Sequence, residues 1–110
     1  MLSPMADPFT ILAEPARRRI LEELRRGERP VGELVDALGM RQPAVSKHLR
    51  VLRDAGVVSA RVDAQRRLYR LEPAPLRALD VWLAPYRILW SEGLDALERH
   101  LDDMPDDPED

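Results

Sequence analysis

Gln42, Ser46, Lys47 and Arg50 lie within one short segment, "QPAVSKHLRVLRDAGVV" (residues 42–58). Wound at ~100° per residue, Ser46, Lys47, Arg50 and Pro43 fall opposite Val45, Leu49 and Leu52, which cluster within ~40° of one another. The spacing therefore predicts a helix with one apolar face and one polar, cationic face. The chemistry available to that polar face is nucleic-acid recognition. A glutamine amide can bond an adenine edge twice, arginine and lysine meet guanine or phosphate, and a serine hydroxyl serves either. Gln42 is thus expected on adenine, Lys47 and Arg50 on guanine or phosphate, and Ser46 on either. His48 borders the apolar face, about 60° from Val45. Packing between helices and contact with a phosphate are both open to it.

The chain as a whole carries a net charge of -3, which does not look like a DNA binder. The charges are unevenly placed. The last nine residues, "DDMPDDPED", hold six acids and no base, so the remainder nets +3. From Arg41 to Arg70 there are eight bases (Arg41, Lys47, Arg50, Arg53, Arg61, Arg66, Arg67, Arg70) against Asp54 and Asp63. A local excess of +6 is the footprint of a polyanion site. Sixteen arginines against one lysine also reflect overall usage, so their placement is the evidence.

Other chemistries find little support. There is no cysteine, which removes disulfides, thiolate metal sites and cysteine nucleophiles, and suits a reducing compartment. The two histidines, His48 and His100, have no nucleophile in an evident constellation, and no glycine-rich phosphate loop is present. No catalytic residue and no cofactor are expected. His100 beside Asp102 and Asp103 is read as a solvated helix end, and no metal site is expected. The start, "MLSPMADPFTIL", has no basic region followed by a long apolar run, and no stretch approaches the ~20 apolar residues of a membrane helix. A cytoplasmic protein without membrane contact is expected.

The elements that must position the cationic helix can be read in turn. Phe9, Ile11 and Leu12 suggest a short first helix. Pro15 suits the first position of a second, whose apolar stripe is Ile20, Leu21 and Leu24, with Gly27 as its left-handed cap. Arg17, Arg18 and Arg19 point three ways, so the run reads mostly as a solvated face. A third helix begins at Val31, with Leu34, Val35 and Leu38 at i+3, i+4 and i+7, and stops at Gly39. Joined by "GMR" to the cationic fourth helix, it makes a helix-turn-helix, whose second helix enters the major groove N-terminal end first. "VVSARV" (57–62) and "RRLYRL" (66–71) are β-prone runs around residues 63–65, a hairpin with a basic tip. Arg61, Arg66 and Arg67 are its expected DNA contacts, and Tyr69 is expected on the core. Pro73 and Pro75 break the chain before a last long helix striped by Leu76, Leu79, Leu83, Tyr86, Trp90, Leu94, Leu97 and Leu101, widened by Trp82 and Leu89. Pro85 should kink that helix near Val81. So much apolar surface on one helix argues for a partner helix.

At this point the chain resembles the ArsR family of bacterial winged-helix repressors. The residues that carry the likeness are "AEPARRRILEEL" (13–24), "VGELVDALGMRQPAVSKHLRVLRDAGVV" (31–58) and "RRLYRL" (66–71), within a span from Asp7 to Leu101. The resemblance implies a homodimer whose first and last helices pack across a two-fold axis, bound to an imperfect palindrome in an operator. Phe9, Leu12, Leu79, Leu83, Tyr86, Trp90, Leu94 and Leu97 are then the expected dimer contacts. Three departures stand out. Arg41 opens the recognition helix where relatives commonly have serine, exchanging a good N-cap for a cation that can meet phosphate or guanine. The wing has Asp63-Ala64 where Asp-Gly is common, so a loop longer than two residues is expected. The family's metal-sensing cysteine pair is absent, and its alternative set along the last helix is reduced to His100 among scattered carboxylates. A small-molecule effector between the last helices stays open, with nothing to name it.

The expected architecture is mainly α with a small β-hairpin: a winged helix-turn-helix of about five helices, a two-stranded wing and a long, kinked C-terminal dimerisation helix. Residues 1–102 are expected to form the DNA-binding and dimerisation domain, and residues 103–110 a disordered acidic tail. The expected function is a homodimeric repressor that binds double-stranded DNA at a palindromic operator. The other reading, a protein-interaction module that keeps the fold but no longer reads DNA, leaves the cations of Arg41, Lys47 and Arg50 without a purpose.

Overall fold

A computed structural model describes residues 7–104, so the last six residues of the expected acidic tail lie outside it. Helix α1 (Pro8–Leu12) opens on Asp7, whose Oδ1 accepts from the Phe9 N–H at 3.1 Å. Helix α2 (Pro15–Leu24) begins on Pro15, whose fixed φ suits the first turn and whose missing N–H leaves nothing unpaired there. The arginine run that follows is not a plain solvated face. Arg17 and Arg18 donate to the carbonyls of Ile11 and Leu12 at the end of α1, and Arg19 Nη2 donates to the Leu38 carbonyl at 3.1 Å. Helix ends leave carbonyls without intrahelical partners, and these guanidinium groups supply the missing donors.

Helix α3 (Val31–Leu38) closes on Gly39, left-handed at φ +66°, as the sequence predicts. Helix α4 (Gln42–Asp54) follows after three residues and ends in a Schellman motif. Gly56, at φ +77°, donates to the Arg53 carbonyl, and the Val57 N–H donates to that of Leu52. The cap of α2 is Arg25 rather than Gly27, which stands two residues further on at φ +146°.

Three strands follow the order β1-β3-β2, all antiparallel. Strand β2 (Val58–Asp63) and β3 (Arg66–Leu71) form the hairpin, one residue later at its start than expected. The two-stranded wing forms as expected, and Arg29 and Pro30 add a short edge strand β1 to its sheet, against Tyr69 and Leu68. An edge strand tolerates Pro30, since its missing N–H need face no neighbour. One expectation is corrected: the loop is not longer than two residues. Asp63 pairs with Arg66, and Ala64 takes the positive φ (+58°) that glycine would usually supply.

The core is built from Ile11, Ile20, Leu24, Leu34, Leu38, Val45, Leu49, Leu52, Val57 and Val58, closed by Tyr69. Val45, Leu49 and Leu52 are the apolar face of α4, so burying them fixes which way the opposite face points. Helix α5 (Ala74–Asp103) is continuous over thirty residues. Pro75 lies in its first turn rather than before it, where the missing N–H again costs nothing. Pro85 lies inside it and deprives the Val81 carbonyl of its partner.

The chain divides into two compact units, one reaching Leu79 and the other starting at Asp80. The first holds the core and all three strands. The second, among the described residues, is α5 from Asp80 to Asp103 followed by Met104. A lone helix has no core of its own. Within it Trp82 and Tyr86 stack with ring centroids 4.7 Å apart, and Arg87 pairs with Asp80 one two-turn step away. Among the described residues no helix is long and apolar enough to cross a membrane.

Candidate nucleic-acid interface

The polar face of α4 forms as its spacing predicts. Pro43, Ser46, Lys47 and Arg50, at i, i+3, i+4 and i+7, together line an open depression of about 220 Å³. Arg41 and Gln42 are exposed at the start of the same helix. Arg41 occupies the N-cap position without a side-chain cap bond, so its guanidinium remains available to an outside acceptor. The first backbone N–H groups of α4 and the positive end of its dipole point the same way, which favours an anion such as phosphate there.

His48 is half-buried, and its Nδ1 is shut from solvent without a hydrogen-bond partner. Of the two roles the sequence leaves open, packing has a structural basis, since this edge of the imidazole faces the protein.

The pairing of the eight bases divides them sharply. Arg61 is held by Glu28, with Nε and Nη2 each 2.8 Å from a carboxylate oxygen. That fork holds the Glu28 carboxyl below its ordinary range and raises the Arg61 guanidinium above its own. Arg70 bonds Glu72, which also accepts from the Ser59 hydroxyl. The Ser59 bond first, then the Arg70 bond, lower the Glu72 carboxyl. Arg66 lies 3.9 Å from Asp63, a loose pair at the hairpin tip. Arg41, Lys47, Arg50, Arg53 and Arg67 have no internal side-chain partner among the described residues. The uncompensated positive charge therefore concentrates on α4, with Arg67 added from the wing.

Residues expected at a dimer contact divide between the units. Leu12 is half-buried and packs on the core of its own unit, while Phe9 is 44% exposed. Leu79 and Leu83 are half-buried. Tyr86, Trp90, Leu94 and Leu97 are exposed, Trp90 by 56% and Leu94 by 65%. Glu28 and Glu72, which organise the wing's bases, were not singled out from sequence. Glu28 acts on a residue 33 positions away, and no local spacing announces such a pair. Among the described residues no group of three or more His, Asp or Glu is placed to hold a metal.

Comparison with known proteins decides the family. Residues 14–60 match the bacterial regulatory protein, arsR family, model. The chain is 40% identical over 96 residues to the HTH-type transcriptional regulator Rv2034 of Mycobacterium tuberculosis, covering 87% of each protein.

The chain belongs to the arsR family.

It is thus a DNA-binding transcriptional regulator with a winged helix-turn-helix fold. It is also 50% identical over 71 residues to the HTH-type transcriptional repressor SmtB of M. tuberculosis, spanning 64% of this chain and about half (53%) of that relative. A crystal structure of a possible transcriptional regulator for arsenical resistance superposes with a TM-score of 0.66 at 36% identity, covering 93% of this chain and all of that one. The homodimeric winged helix-turn-helix DNA-binding domain Mb0332 of Mycobacterium bovis, solved by NMR, gives a TM-score of 0.58 at 31% identity, covering 79% of this chain and 78% of that one. The likeness to arsR-family proteins thus extends beyond the helix-turn-helix into α5.

Proposed function

We propose that this arsR-family regulator is a cytoplasmic, homodimeric repressor that binds a palindromic operator. In this reading α4 enters the major groove by its N-terminal end. Gln42, Ser46, Lys47 and Arg50 face base edges and phosphates, Arg41 meets the flanking backbone, and Pro43 packs beside them. Arg66 and Arg67 bring the wing to the neighbouring minor groove or backbone. The observation that carries the reading is the face of α4. Arg41, Lys47 and Arg50 are exposed and have no internal partner, while other bases of the same stretch are neutralised by Glu28 and Glu72. A face kept for protein contact would gain nothing from three uncompensated cations. Each costs little in water and is strongly favourable only against a polyanion.

Dimerisation is supported by the apolar stripe of α5. Tyr86, Trp90, Leu94, Leu97 and Leu101 recur at three- and four-residue steps and are all exposed. Pairing with the same helix of a second copy would remove that stripe from water and give the two-fold symmetry a palindrome needs, with half-sites ~34 Å apart. His48 has a packing role here and Arg61 a structural one. No enzymatic step, metal or cofactor enters the reading, and the chain has no cysteine with which to sense a thiophilic metal. The test is binding to a duplex from the region upstream of the gene, read by fluorescence anisotropy. The complex should contain two protein chains per duplex and prefer that duplex over a shuffled one. Equal affinity for both, or one chain per duplex, would contradict the proposal.

A further inference from the structure

The wing must be held at a fixed angle to place Arg67, yet every residue from Arg61 to Arg67 is exposed and contributes nothing to the core. Two features outside the hairpin anchor it. One is β1, whose Pro30 pairs with Leu68. The other is Glu28, immediately before β1, which grips Arg61 with two 2.8 Å bonds. Arg61 also pairs with Leu68 in register, from the opposite side to Pro30. Side chains of directly paired residues share a face, so Pro30 and Arg61 flank Leu68 on one side of the sheet. Leu68 is buried although it is not part of the main core cluster. The Glu28–Arg61 fork thus sits where the α2–β1 connection, β1 and both wing strands meet.

We propose that Glu28 is a positioning residue for DNA binding: it keeps Arg61 on the protein as a strut of the wing and away from the phosphates. The inference rests on the DNA-reading proposal above and revises the role expected of Arg61. A paired guanidinium and carboxylate carry no net charge. A phosphate approaching Arg61 would also meet the Glu28 carboxylate, so the pair releases no counterion on binding. The arrangement favours discrimination. A sixth free arginine or lysine on the reading side would strengthen binding to any sequence, because phosphate contacts carry no sequence information. Holding Arg61 fixes where Arg67 lands without adding that indiscriminate attraction.

Salt dependence separates this from a merely structural role. The probes are a duplex from the gene's own upstream region and a shuffled duplex of the same length. Glu28→Ala releases Arg61, and the slope of log K against log salt should steepen by about 0.9, an extra loss of about 3.5-fold in affinity between 50 and 200 mM salt. Preference for the upstream duplex should fall. Arg61→Ala should weaken binding by removing the strut, with the slope of the parent retained. The double variant should return to the parental slope. A slope flattened by about one unit in Arg61→Ala would mean that Arg61 already touches a phosphate, and would overturn the proposal. So would an unchanged slope and unchanged preference in Glu28→Ala. Should Glu28→Ala fail to fold, the Arg61→Ala slope decides alone. Failure of the parent protein to bind either duplex would strike the DNA-reading proposal itself, a result distinct from any of these.

Discussion

Replacing Trp90 by aspartate should separate the dimer while leaving the protomer folded. Trp90 is 56% exposed and is not one of the core residues, so the substitution leaves every core side chain in place. The helix itself loses only a few tenths of a kcal/mol in propensity. A tryptophan carries roughly 200 Å² of surface, so the exposed share is about 110 Å². Covering it with a partner helix contributes about 3 kcal/mol per protomer at ~25 cal/mol per Å², or about 6 kcal/mol for a two-fold dimer. Losing that raises the dimer dissociation constant by roughly four orders of magnitude, before the cost of bringing two carboxylates to the two-fold is added. Sedimentation velocity at micromolar concentration should show a dimer for the parent and a monomer for the variant, with the same far-ultraviolet circular dichroism. Operator binding should collapse although no DNA-facing residue has changed. A variant that still sediments as a dimer, or a monomer that binds DNA as the parent does, would refute the reasoning.

Ala64 occupies a left-handed conformation at φ +58°, which costs an L-residue about 1 kcal/mol, so Ala64→Gly should raise the melting temperature by a few degrees in a calorimetric scan. A lower melting temperature would mean that the turn is not strained. Arg19→Ala removes the donor to the Leu38 carbonyl, and urea unfolding should show a loss of about 1 kcal/mol; an unchanged midpoint would show that water replaces it fully. Glu28 and Glu72 both have carboxyls lowered from the ordinary 4.5 by their partners in the fold. A lowered folded-state value gives stability that is present above the unfolded value and is lost as pH falls through the folded one. Melting temperature should therefore decline below about pH 4.5, and the decline should be shallower in the Glu28→Gln/Glu72→Gln double variant. Parallel pH profiles would remove these two groups as its cause.

Helix α4 was the most legible part of the chain. Its period is written in Val45, Leu49 and Leu52, and its stop in Gly56, so local rules alone place Pro43, Ser46, Lys47 and Arg50 on one face. The third helix and its Gly39 cap were legible for the same reason. What escaped depends on contacts distant in sequence. Strand β1 is two residues long and contains Pro30, a pattern that local propensity reads as loop, and it exists because β3 offers it an edge. The two-residue turn violates its own residue preference at Ala64, since the register of the flanking strands outweighs it. The arginines of α2 looked solvated because nothing local shows that carbonyls of α1 and α3 lie within their reach. For Arg61 the positive charge was legible for local reasons, and its partner Glu28, 33 positions away, was not.

The claim on which the account stands is that the unpaired cations of α4 read DNA. Its most direct test is a salt titration of binding to the upstream duplex and its shuffled counterpart, for the parent and for Lys47→Ala and Arg50→Ala. The parent should bind more weakly as salt rises and prefer the upstream duplex. Arg50→Ala should cost about 1–3 kcal/mol on that duplex if Arg50 meets a guanine, with the preference reduced. A phosphate contact would instead weaken both duplexes alike and lower the salt slope by about one unit per cation removed. If both variants bind both duplexes as the parent does, with the same salt slope, α4 is not the reading helix and the account is wrong.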